Sequence, residues 1–138
     1  MTTKLDYNRN SYNVVVRSEL VSPFLTNVEM VVRPIHNHKL DTVAISNLNK
    51  TLIIKKLKAE VVYESVPIND INYERLIIKY VGNVLPEDIV NLEEVVKIHT
   101  LHYTHCCAYL LKQVLKYLYG LRQYSCYSTL SYTLTFSI

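Results

Sequence analysis

The chain has 138 residues, 49% of them apolar and 20% charged, with a formal net charge of +3. That is the balance of a globular protein long enough to bury one core, and it excludes a disordered or low-complexity chain. The opening MTTKLDYNRN is polar, and no run approaches the roughly eighteen apolar residues of a membrane span, so the chain reads as soluble and intracellular, cytoplasmic or nuclear, with no membrane partner.

One domain is expected over 1–138: an antiparallel sheet over 1–82, a helix over 86–119 and a closing strand over 124–138. Residues 11–20 alternate, with Tyr12, Val14 and Val16 on one face and Asn13, Arg17 and Glu19 around the other, which is the period of a half-buried strand. Pro23 ends it. Residues 27–35 repeat the pattern through Val28, Met30 and Val32, and Pro34 places that end at an edge or outside the sheet. His36 to Lys39 reads as a turn, 40–46 as a short strand and 47–50 as another turn.

The run 51–66 is read as the longest strand, with a bulge at 55–57 where the apolar parity slips. After a turn at 69–72, residues 73–81 supply one more strand. About five or six antiparallel strands in a meander, closing into a sandwich or small barrel, make the expected fold α+β once the helix and closing strand are added.

Pro86, Glu87 and Asp88 suit the start of a helix, and Gly120 its C-terminal cap. Leu92, Val96, Tyr103, Leu110, Val114 and Tyr117 fall on one stripe, with Glu94, His105, Lys112 and Lys116 opposite. One straight helix would be about 50 Å long in a domain whose radius of gyration is about 14 Å. A kink at His99-Thr100 or Tyr103-Thr104 is expected, with a continuous helix pairing with a second copy as the alternative. In 124–138, Tyr124, Cys126, Leu130, Tyr132, Leu134, Phe136 and Ile138 share one parity against mostly Ser and Thr, which reads as a final C-terminal strand.

Gly82 and Gly120 are the only glycines, which excludes the clustered glycines of dinucleotide fingerprints and P-loops. Three cysteines, two of them adjacent, read as reduced thiols. His99, His102 and Cys106 would converge on one helix face as ligands of a structural zinc, with a fourth ligand from His36 or His38. The competing reading buries Cys106 as a small hydrophobe, and no cofactor is then expected. Glu87, Asp88, Glu93 and Glu94 fit helix-dipole chemistry better than acid–base work, and no catalytic residue is assigned.

Charge is segregated along the chain: nine Lys and Arg against four acids over 1–58, three against eight over 59–98, and three against none over 99–138. Two readings follow, neither enzymatic. The leading one is a protein–protein interaction or structural subunit, self-associating or an adaptor, with interface residues among Tyr103, Tyr109, Tyr117 and Tyr119 of a chain holding twelve tyrosines. The alternative is a nucleic-acid-binding small barrel, with Lys50, Lys55, Lys56 and Lys58 tracking phosphates along a basic strand and Tyr63 stacking on a base. Abundant Tyr, Asn, Ile and Lys point to an AT-rich coding genome such as a virus or a parasite carries.

Overall fold

In the computed structural model, which describes residues 11–22, 25–34, 40–98, 103–122 and 129–137, the two alternating segments pair as an antiparallel hairpin. Ser11–Ser22 (β1) and Leu25–Pro34 (β2) set Val14 opposite Val32, Val16 opposite Met30 and Ser18 opposite Val28. Side chains of this parity are all but inaccessible, because every second residue points the same way and the apolar set shares one face.

The next segment departs from the expected strand, turn and long strand. Thr42–Ile54 is a helix, α1. Asp41 caps it, accepting the backbone N–H groups of Val43 and Ala44 at 3.0 and 3.1 Å. Ala44, Ile45, Leu48 and Leu52 are buried at the helical period, while Val43, Ile53 and Ile54 are exposed.

Ala59–Ile68 (β3) and Ile71–Gly82 (β4) then form a second hairpin, turned at Asn69-Asp70. Both turn residues have left-handed backbone, φ 51° and 65°, as a two-residue turn matched to strand twist requires. Pro86–Ile98 (α2) and Tyr103–Arg122 (α3) are separate helices packed on one another. His105 Nδ1 lies 3.0 Å from the Val96 carbonyl oxygen, whereas nine residues along one straight helix would separate them by about 13 Å. A straight 87–119 helix is thereby ruled out, and Gly120 sits inside α3.

Thr129–Ser137 (β5) runs antiparallel to β1, and the sheet order is β3-β4-β2-β1-β5. The sheet is therefore no meander, since β2 pairs with β4 across the intervening α1 and β3. Nor does it close: β3 and β5 are its edges, and helices take the place a second sheet would occupy in a sandwich. One core joins the inward parity of β1, β2 and β4 to Leu48 and Leu52 of α1, Leu92 and Val95 of α2, and Cys107, Leu111, Leu115 and Leu118 of α3. Among the described residues no helix packs on the opposite sheet face. Among the described residues no helix is long and apolar enough to cross a membrane.

Candidate functional site

The lysines expected on a strand lie instead on a helix, its C-terminal turn and the link to β3. Lys56 has φ 58°; its N–H donates to the Ile53 carbonyl at 2.9 Å and that of Leu57 to Leu52 at 3.0 Å. This is the Schellman arrangement, with Leu57 and Leu52 both buried as its apolar contact. Lys55 is ion-paired with Glu94 of α2, whose carboxyl that ammonium group holds below the usual carboxylate range. Lys58 Nζ lies 3.1 Å from Asp88 Oδ2. Lys50 and Lys56 are exposed. A basic strand therefore does not exist, and two of its four expected cations already serve α2.

Two buried carboxylates tie the layers together. Asp88 accepts the Leu85 N–H at 2.9 Å, the half of a capping box that reaches back from the third helical residue, and the Tyr80 hydroxyl and Lys58 complete its shell at 3.1 Å each. Burial first, then the Asp88 charge and hydrogen bond, push the Tyr80 phenol well above its ordinary range. Glu74 accepts the Leu40 N–H at 3.0 Å and the Tyr63 hydroxyl at 2.8 Å, so Tyr63 fastens the approach to α1. Both carboxylates hold donors from other elements, which is a structural role.

Of the proposed zinc ligands, His36, His38, His99 and His102 lie outside the described residues. Cys106 is half-buried and Cys107 fully buried; desolvation raises both thiols, which disfavours the thiolate a ligand or nucleophile needs. The core thiol is thus Cys107, one residue on from the expected one, because the break between α2 and α3 resets the helical phase. Tyr117 is accordingly exposed, as is Tyr109, over whose ring Lys112 Nζ sits 5.1 Å from the centroid. Tyr119 packs against the core, and the Tyr103 side chain lies outside the described residues.

The sheet face that no described helix covers brings together residues that sequence reasoning left apart. Val15 of β1 is opposite Val31 of β2, Val31 opposite Ile77 of β4, and Ile77 opposite Val62 of β3. These four form an apolar row across four strands; Val15 is 38% exposed and the other three are partly exposed. Two residues along, about 7 Å away, the register aligns Arg17, Glu29, Lys79 and Glu60, a row that alternates in sign. None of these four side chains forms an ion pair within 4.0 Å with a described residue. On the other flank, Asn13 faces Arg33, and Arg75 is ion-paired with Glu64. The face continues along the β3–β4 hairpin to Val66, Ile68, Ile71 and Tyr73, all exposed. Outward parity was legible in β1 and β2; the rows were not, because they depend on β4 lying beside β2.

Comparison with family models, with curated proteins and with solved structures returns no match.

Proposed function

We propose that this protein is a non-enzymatic interaction module that docks a protein partner through the sheet face opposite its described helices. The observation that carries the reading is the apolar row Val15, Val31, Ile77 and Val62 on that face, bordered by charged residues. An apolar strip rimmed by charge is the anatomy of a protein interface, in which the centre supplies affinity and the rim sets orientation. The leading site therefore moves from the α3 tyrosines to the sheet, with exposed Tyr109 and Tyr117, and Lys112 over the Tyr109 ring, as a lesser patch.

A photo-crosslinking side chain at position 31 or 77, with control probes at exposed Lys50 and Lys56, tests this in cells expressing the full chain. Adducts of protein mass from positions 31 and 77, absent from the controls, are the expected result. Adducts to RNA or DNA from positions 50 and 56, together with salt-sensitive binding of a labelled oligonucleotide, would replace this reading with the nucleic-acid one.

A further inference from the structure

We infer that the occupant of the sheet face is a second copy of this chain, stacked about a two-fold axis that lies in the interface, parallel to the strands, between β2 and β4. This rests on the docking reading above and adds to it the partner and the geometry. The order of charges in one row carries the pairing. Across β1, β2, β4 and β3 the register reads Arg17, Glu29, Lys79, Glu60: positive, negative, positive, negative.

An in-plane two-fold along the strands reverses the order of a row and lays it over itself. An alternating row of even length is complementary to its own reverse. Arg17 then opposes Glu60 of the second copy and Glu29 opposes its Lys79, so the row gives four attractive oppositions and no repulsive one.

The same operation places Val15 over Val62 and Val31 over Ile77 of the second copy, so the apolar rows coincide. In the flanking row Asn13 meets Glu64, and Arg33 meets an Arg75 that carries its own counter-charge in Glu64. Turning the axis by 90° along the apolar row would instead lay Lys79 over Arg75 and Glu60 over Glu64, with one attractive opposition, Glu29 over Arg33, so the balance of charges favours the axis along the strands. Two-fold self-association needs this self-complementarity of a single patch. The four strands that overlap about this axis, spaced about 4.8 Å and about ten residues long, present roughly 600 Å² per copy, about 1,200 Å² in total, the lower end of the area that stable interfaces use. Stacked sheets with near-aligned strands are also a standard packing mode.

The test is a charge exchange read by light scattering and analytical ultracentrifugation on the full chain. Glu29→Lys alone opposes lysines across the axis, Lys79→Glu alone opposes glutamates, and each should raise the dimer dissociation constant at least about tenfold. An equimolar mixture of the two variants restores both oppositions and should dimerise as the unmodified protein does. Arg17→Glu and Glu60→Lys form a second pair with the same logic, for use where either member of the first pair melts below the parent.

Dimers that ignore the single reversals, or a mixture that stays monomeric, would overturn the proposal. So would an unmodified chain that is monomeric up to about 1 mM. Failure of that last kind leaves the docking reading standing if positions 31 and 77 still crosslink to a different protein; if they crosslink to nothing, both fall.

Discussion

Lys56 occupies a backbone conformation that glycine adopts freely and a side chain does not, φ 58° at the residue after the α1 cap. Lys56→Gly should therefore stabilise the chain by about 1 kcal/mol, read as a rise in the midpoint of urea unfolding at unchanged slope. Gly82 is the reverse case. Its φ is 150°, and a Cβ there would come within 2.7 Å of the Lys58 side chain that reaches Asp88. Gly82→Ala should cost more than about 1 kcal/mol.

Tyr80, beside them, links stability to pH. Its phenol is raised in the fold, so between the ordinary tyrosine value near pH 10 and the higher folded one the native state binds the extra proton. Its contribution is complete below about pH 10 and declines as pH rises through the folded value. Tyr80→Phe should flatten that alkaline decline while lowering stability at neutral pH, since Asp88 loses a donor. Cys107, buried and raised, should resist alkylation in the native state and react on unfolding, as peptide mapping by mass spectrometry would register.

At the scale of elements, α1 shows why period reading failed. Its sequence is rich in β-branched residues, and Val43, Ile53 and Ile54 are apolar yet exposed, which blurs a stripe that Ala44, Ile45, Leu48 and Leu52 nevertheless draw at helical spacing. Asp41 was the overlooked start signal. Asp41→Ala should cost about 1 kcal/mol, measurable as a lower melting temperature, because two N–H groups lose their acceptor. β1 and β2 were legible because Tyr12, Val14 and Val16, and Val28, Met30 and Val32, recur at every second residue, whereas β4, with Leu76, Ile77 and Ile78 consecutive, was legible as a strand but not by face. The break between α2 and α3 was legible as a length argument, but its consequence was not: once the phase resets, a residue's face on α3 cannot be extrapolated from α2. That is why Cys107 rather than Cys106 is in the core and why Tyr117 faces outward.

For the whole molecule, the class of fold followed from patterns within segments, whereas the candidate site followed from pairings between them. Open sheet faces are built at right angles to the chain, so Val31 and Ile77 become neighbours only through strand order. The same order has a kinetic meaning. β1–β2 and β3–β4 are hairpins of short sequence separation, each able to form locally in microseconds, while the β2–β4 ladder joins them across α1 and buries Met30, Ile78 and Tyr80 at once. Docking of the two hairpins is then the step at which the chain commits to its fold. Amide protons of β2 and β4 should exchange only through global opening, and those of the β3–β4 tip beyond Glu74 through local fraying.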